Sequence, residues 1–234
     1  MSGISPALSD DTVVSARFIE PTTRYAHGVL GDAIEFGALE INLKARTMNK
    51  TSQAASDRFS VTIRLPQDRV FEDLAPRLMD VDQDGVPEII VVESHQHAGA
   101  QLAIYNAKGH KIAATPHIGT RFRWLAPIGA ADLDGDGHVE IAYVDRPHLA
   151  KTLRIWRYQN TSLTEIATLP GLTNHRIGED FISGGLRLCN STPELILASA
   201  DWSRIISITY NKGWQQKDLG PLHSREDLTA ASEC

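Results

Sequence analysis

The sequence is poor in the features that mark membrane, nucleic-acid-binding and zinc proteins. No apolar run approaches the ~20 residues that a transmembrane helix needs. The net charge of -6 disfavours nucleic acid as a partner, because nucleic acid attracts basic surfaces. The two cysteines, Cys189 and Cys234, lie outside any metal-like spacing, which argues against zinc. We therefore expect no membrane span and no nucleic-acid partner.

Common catalytic motifs and a leader sequence are also lacking. The chain has no GxSxG elbow, P-loop, HExxH or GxGxxG motif. Its start, MSGISPALSDD, has neither the basic end nor the apolar core of a signal peptide. Either the protein is cytoplasmic or the chain is a mature form with a replaced start. The residues alone also leave open whether the cysteines are two free thiols or one disulfide in an oxidising compartment.

Short β-type runs are what the sequence has in quantity. Apolar residues alternate or cluster in runs rich in Val, Ile, Tyr and Trp, such as EIIVVE (88–93) and RIISITYN (204–211). Gly, Pro, Asn and Asp bound these runs, and the one helix signal is SREDLTAASE near the C-terminus. The sequence therefore predicts an all-β fold with a short C-terminal helix.

The runs recur at a fixed interval. Asp80 and Asp132 open two similar acidic loops 52 residues apart, and Glu88 and Glu140 close them at the same interval. A period of about 50 residues with about four strands per unit is typical of a β-propeller blade. We predict a small β-propeller of four blades, because five blades would have to be shorter than the visible period.

Four such units fit the chain. We expect a disordered segment over residues 1–12 and a single propeller domain over residues 13–234. Strand-like residues 13–20 lie outside the units, and we expect them to add an outer strand to the last blade and close the ring without exposed edges. The predicted blades span residues 21–74, 75–124, 125–179 and 180–222.

Each acidic loop offers carboxylates at positions 1, 3, 5 and 9 and glycine at position 6. Calcium takes six to eight oxygen ligands, and alternate residues of a tight loop can direct their oxygens to one centre. An EF-hand is excluded because position 12 holds Val91 or Tyr143 and because a strand follows. Acidic turns without an ion and a catalytic carboxylate cluster are the alternatives. The predicted calcium ligands are Asp80, Asp82, Asp84, Glu88, Asp132, Asp134, Asp136 and Glu140, with the main-chain carbonyls of Val86 and His138.

The stretches DVDQDGVPEIIVV and DLDGDGHVEIAYV resemble FG-GAP/VCBS repeats, the calcium-loop blades of integrin-α-like β-propellers. The resemblance covers about residues 21–222, strongly in the two middle units and weakly in the outer two. The whole chain also resembles small bacterial VCBS-repeat proteins that are made with an export signal. This resemblance implies bound calcium, a periplasmic or secreted location and a Cys189–Cys234 disulfide. Because the first and fourth units lack the full acidic pattern, we expect two calcium sites at most.

A second set of residues recurs with the units and suggests a ligand site. One arginine precedes the innermost strand of each unit, and equivalent positions of a propeller converge around its axis. Arginine forks bind carboxylates and phosphates, although these side chains could instead pair with acids and hold the ring together. Further polar side chains cluster in loops that follow the first strands, where binding residues are common. The predicted ligand-binding residues are Arg24, His27, Arg69, Arg121, Trp124, Asp145, Arg146, His148, His175, Arg176, Asp201, Trp202 and Arg204.

Together these features favour a non-catalytic, calcium-binding propeller that binds a small-molecule or protein ligand outside the cytoplasm as a monomer. The main alternative is a hydrolase or lyase that acts on a sugar or another anionic substrate at the propeller axis. A third possibility is an assembly partner in a larger envelope complex.

Overall fold

The computed structural model describes residues 11–45, 58–189 and 192–234. In this part of the chain, antiparallel strands account for nearly all regular structure, and one short helix, α1 (Arg225–Ala231), follows the last strand. The all-β prediction and the predicted C-terminal helix are confirmed. Residues 1–10 of the segment predicted to be disordered lie outside the described residues, and the first strand begins at Asp11.

Three successive units share one strand order. In each, the first strand pairs with a second strand, and hairpins lead on to a third and a fourth. In the second and fourth units the first strand is split into two pieces, and both pair with the same second strand. The second unit comprises β4 (Arg69–Phe71), β5 (Arg77–Met79), β6 (Glu88–His95), β7 (Gly99–Tyr105) and β8 (Lys111–Ala114). The third comprises β9 (Leu125–Ala131), β10 (Val139–Asp145), β11 (Thr152–Gln159) and β12 (Ser162–Pro170). The fourth comprises β13 (Leu172–Thr173), β14 (Gly185–Cys189), β15 (Thr192–Ser199), β16 (Arg204–Tyr210) and β17 (Trp214–Pro221).

The first unit is built differently. It consists of β1 (Asp11–Thr22), β2 (Glu35–Ala45) and β3 (Arg58–Arg64), with β2 between the other two. Phe36 of β2 also pairs with Phe71 of β4, which joins the first and second units into one eight-stranded sheet.

Two predicted features differ from the structure. The strand predicted over residues 13–20 to complete the last blade belongs to β1 and pairs with β2 of the first unit, with Phe18 opposite Leu39. The reason is that strands that are neighbours in sequence usually pair with each other. The unit boundaries also move, because β4 and β13 each pair along their whole length with the second strand of the following unit. The preceding unit pairs with β4 only through Phe71.

Hydrophobic clusters fill the spaces between successive units. One cluster joins β2 to β6 and β7, a second joins β6 and β7 to the third unit, and a third joins the third unit to β15 and β16. Because neighbouring units cover both of their faces, β6 and β10 are almost completely buried along their length. Their runs of Val and Ile therefore lack the alternation of a half-exposed strand.

The fourth and first units meet through loops. The N–H of Gly178 donates a hydrogen bond of 3.0 Å to the carbonyl of Val29. Ile182 packs against the hydrophobic cluster that contains Val29 and the side chains between the second and third units. These contacts bring loops of the first and fourth units together.

The C-terminal segment is attached to the fourth unit. Leu228 of α1 is buried against Ile196 and Ile205. Cys234 forms a disulfide with Cys189 at the end of β14, which confirms that pairing. Among the described residues, no helix has the length and apolar character that crossing a membrane requires.

Candidate functional site

The two acidic loops, loop 1 (80–88) and loop 2 (132–140), have the same conformation. Each connects the first and second strands of its unit. The first carboxylate of each, Asp80 or Asp132, accepts hydrogen bonds of 3.0–3.1 Å from the backbone N–H groups four and five residues ahead. The glycine at position 6 of each loop has a φ of +87°, in the left-handed region that favours glycine. The repeated spacing therefore produces a repeated loop.

Three carboxylates of each loop lie close enough to share a cation. Their oxygens approach within 4.8 Å of one another. A carboxylate oxygen that accepts one N–H keeps further lone pairs, and carboxylate oxygens are the ligands that calcium prefers. Both clusters could therefore hold a metal ion. They consist of Asp80, Asp82 and Glu88 in loop 1 and of Asp132, Asp134 and Asp136 in loop 2.

The other predicted calcium ligands shape the loops. Glu140 lies outside the closest group of loop 2, and its Oε2 accepts the N–H of Leu133 at 2.8 Å. Asp84 also lies outside the closest group of loop 1 and accepts the N–H of Val86 at 2.7 Å. His138 donates its own N–H to the fifth-position carboxylate of loop 2 at 2.9 Å. These bonds hold the main chain around the carboxylate cluster.

Loop 1 carries uncompensated negative charge. No cationic side chain among the described residues bonds its carboxylates. Burial raises the pKa of Glu88 to about 7, and the charges of Asp82 and Asp84 add to the rise. Burial, followed by repulsion from Asp84, also raises the pKa of Asp82. Asp82, Asp84 and Glu88 line an open cavity of about 290 Å³, and Lys108 also lines it without forming an ion pair with them. This loop therefore suits a divalent cation.

Loop 2 already contains a cation, the guanidinium of Arg157. Arg157 lies opposite Glu140 in the β10–β11 hairpin and bonds its Oε1 through Nε at 2.8 Å. Its Nη1 is 2.7 Å from Asp136 Oδ2, and its Nη2 bonds Asp134. The pKa of Arg157 is raised because it bonds these carboxylates. The charge that a calcium ion would neutralise is therefore partly neutralised by the chain itself.

A second candidate site, which we call the central pocket, lies where the loops of the four units meet. It has a volume of about 400 Å³. Four of the predicted ligand-binding residues line it, namely His27, Trp124, Arg146 and His148. The other lining residues are Val29, Phe122, Arg123, Leu149 and Ile177.

A buried acid fixes one wall of the central pocket. The Nδ1 of His27 is 2.5 Å from Oε1 of Glu72, which is fully buried, and the second oxygen of Glu72 accepts a bond from Ser94. Burial raises the pKa of Glu72. The indole N–H of Trp124 donates to the Glu72 carbonyl at 2.8 Å. These bonds hold His27 and Trp124 in place without a ligand.

A pair of histidines forms another wall. His148 Nε2 lies 3.0 Å from His175 Nδ1, and the buried His175 ring packs edge-on against Trp124 with 4.9 Å between centroids. Burial, with a contribution from His175, lowers the pKa of His148 to about 4. Burial also lowers the pKa of His175. Both histidines are therefore neutral at pH 7, and His175 supports the pocket without lining it.

Three of the four recurring arginines have separate roles. Arg24 donates to the carbonyl of Arg69 at 2.6 Å and so links the first and second units. The side chain of Arg69 pairs with Asp68 at 3.3 Å. Arg121 stacks over Phe122, with its guanidinium 4.6 Å from the ring centroid. Of these three, Arg121 contacts a residue that lines the central pocket.

The remaining predicted ligand-binding residues lie elsewhere or are engaged. Arg176 stacks over Trp202 at 4.2 Å beside a smaller cavity. Asp145 is buried and bound by two arginines at 2.7 and 2.9 Å. Asp201 accepts bonds from two serines, and Arg204 forms an exposed ion pair at 2.7 Å. The predicted set therefore divides between the central pocket and structural contacts.

Several site residues were not predicted from the sequence. Arg157 could have been found from the hairpin register, since the turn after Asp145 fixes which residue lies opposite Glu140. Phe122 and Arg123 stand between two predicted residues in the sequence RFRW. Nothing in their local sequence marks Leu149 and Ile177, because only the meeting of distant loops brings them to the pocket.

Comparison with protein families supports the interpretation of the acidic loops. The family model of the FG-GAP-like repeat matches residues 80–143, a stretch that begins with loop 1 and includes loop 2. A search of the curated proteins gave no significant match. The matched stretch contains both carboxylate clusters and the hairpin between them. The chain therefore contains an FG-GAP-like repeat at residues 80–143.

Proposed function

We propose that the protein is a non-catalytic, calcium-binding β-propeller module that binds a ligand in the cell envelope or outside the cell. The geometry of loop 1 is the observation that carries the calcium assignment. Three of its carboxylates converge, and among the described residues no cationic side chain bonds them. Calcium bound there would neutralise the cluster and stabilise the folded state, since the unfolded chain presents no such cluster.

We also propose four blades in one domain, closed by the loop contacts between Val29 and Gly178 rather than by an added outer strand. The three units of common strand order and the hydrophobic clusters between successive units support this arrangement. The disulfide supports a periplasmic or secreted location, because such bonds persist in oxidising compartments.

A binding role agrees better with the central pocket than a hydrolase or lyase does. Burial, with a contribution from His175, lowers the pKa of His148 to about 4, so His148 is neutral at pH 7. Asp201 accepts bonds from serine hydroxyls and does not line the pocket. The buried Glu72 positions His27 but has no open face to a substrate. The pocket therefore offers a binding surface rather than an acid–base pair directed at a substrate.

The calcium proposal can be tested with Asp82→Asn in metal-stripped protein. Asparagine keeps an oxygen to accept the Asp84 N–H (3.2 Å in the wild type) but removes one charge. We expect the variant to melt at a higher temperature than wild type in chelator, because repulsion falls, and to lose most of the calcium-dependent rise in melting temperature. A wild-type protein whose melting temperature does not respond to millimolar calcium would refute the proposal.

A further inference from the structure

We propose that the central pocket binds a small aromatic carboxylate, with the flat apolar ring inside the pocket and the carboxylate at Arg123. This inference rests on the proposed binding function and adds the chemical class of the ligand. It follows from the size of the pocket, the character of its walls, its unpaired cations and its strained backbone.

The size and walls of the pocket suit one flat ring. About 400 Å³ is near the lower end of the ~300–1,000 Å³ typical of small-molecule sites. Two aromatic rings, His27 and Phe122, line the pocket and stack on each other nearly parallel, 15° apart with 4.7 Å between centroids. At the mouth, Leu149 and Ile177 are 62% and 71% exposed, although both are large apolar side chains. A ligand with an apolar body would cover this surface.

The cations at the rim favour an anion. Arg123 has no hydrogen bond or ion pair through its guanidinium among the described residues, and Arg121 has only its stacking contacts. Arg146, by contrast, is engaged by Asp145 through two bonds of 2.7 and 3.0 Å. Unpaired arginines beside a pocket are notable in a protein with a net charge of -6. A carboxylate fits the planar donor fork of arginine.

The backbone at the pocket is strained at two residues that touch the proposed ligand space. Phe122 and Arg146 have φ of 63° and 45°, in the left-handed region that bulky residues rarely adopt. The hydroxyl of Tyr25 accepts the N–H of Phe122 at 2.7 Å and so holds this conformation. Such conformations persist where surrounding contacts fix them, and they concentrate at functional sites. Here the strain keeps the Phe122 ring at the pocket wall.

The experiment measures probe binding by calorimetry at saturating calcium. The probes are phenylacetate, its neutral counterpart phenylacetamide, and acetate, which lacks the ring. The variants are Arg123→Gln, which removes the unpaired cation, and Leu149→Ser, which changes an exposed apolar side chain. Arg204→Gln removes an exposed arginine that does not line the pocket and serves as the matched control.

We expect wild type to bind phenylacetate saturably and the other two probes at least tenfold more weakly. Arg123→Gln should weaken phenylacetate binding at least tenfold and leave phenylacetamide binding unchanged, whereas Leu149→Ser should weaken both ring-containing probes. Equal binding of phenylacetate and phenylacetamide, equal effects of Arg123→Gln and Arg204→Gln, or no saturable phenylacetate binding would each overturn the proposal. The calcium-dependent rise in melting temperature, measured without a probe, tests the proposed function separately.

Discussion

Replacing Arg157 with glutamine should convert loop 2 into a second calcium site. In the wild type, the guanidinium of Arg157 bonds three carboxylates of loop 2, two of them at 2.7 and 2.8 Å. At loop 1 the hairpin register places Asn106 where Arg157 would stand, because Ile89 pairs with Tyr105 as Ile141 pairs with Trp156. Two loops of the same shape therefore differ by one positive charge.

The size of the effect follows from the Coulomb energy between this charge and a divalent ion. Two unit charges about 4 Å apart interact by about 1 kcal/mol in water and about 4 kcal/mol at an effective dielectric constant of about 20, and a divalent ion doubles both values. The side chains of Arg157 and Asp136 are 22% and 36% exposed and so are partly shielded from water, which makes the value for water, about 2 kcal/mol, a lower bound. This repulsion corresponds to at least about a tenfold difference in Kd.

Calorimetric titration of metal-stripped protein measures the difference directly. We expect one calcium ion per wild-type chain at moderate concentration and two per chain for Arg157→Gln. In chelator the variant should melt at a lower temperature than wild type, because its carboxylates lose their counter-ion, and calcium should restore the loss. Arg204→Gln, which removes another paired arginine, should behave like wild type.

Two results would contradict the argument. One is a wild-type protein that binds two calcium ions with similar affinity, which would mean that Arg157 leaves loop 2 at no cost. The other is a stoichiometry that stays at one in Arg157→Gln, which would mean that the loop itself cannot hold the ion.

Two further predictions concern stability. Burial, with the nearby charge of Glu72, raises the pKa of Glu35 to about 9, so the folded state keeps a proton that the unfolded state releases above about pH 4.3. The free energy of unfolding of the wild type should therefore fall as the pH rises from 5 towards 9, by at most about 1.4 kcal/mol per pH unit. The melting-temperature advantage of Glu35→Gln should grow over this range, and a constant difference would contradict the raised pKa of Glu35. The Cys189–Cys234 disulfide closes a loop with a sequence separation of 45, so Cys234→Ser should lower the free energy of unfolding by about 2–4 kcal/mol. A reducing agent should lower the wild-type melting temperature to that of Cys234→Ser and leave the variant unchanged; equal stability of the oxidised proteins would contradict it.

The parts of the fold that depend on local interactions could be predicted from the sequence. The spacing of Asp132, Asp134 and Asp136 fixes a loop that closes through its own backbone, so its shape could be predicted. The buried runs of β6 and β10 were evident because both faces are apolar. The place of residues 13–20 depended instead on a choice between two edges, and the sequence pattern is the same for either edge.

In the candidate sites, too, some residues could be predicted from the sequence and others could not. Arg146 and His148 were predicted from a loop rich in polar side chains directly after β10, and both line the central pocket. The recurring arginines could not be separated in this way, because equivalent sequence positions carry side chains that stack on rings, pair with a carboxylate or donate to a carbonyl. Arg121 differs from Arg24 in what lies across from it, a ring rather than a carbonyl, and that is a property of the tertiary structure.

The geometry also separates the roles of calcium and ligand. Loop 2 includes the first residues of β10, and Arg146 directly follows the last residue of β10. The two sites therefore lie at opposite ends of the same strand. Seven residues at about 3.3 Å each place them roughly 20 Å apart, beyond the reach of direct coordination. Calcium bound in the acidic loops, as we propose, would therefore not contact a ligand in the central pocket. Its effect on ligand binding would pass through the stability of the strands that carry the pocket loops.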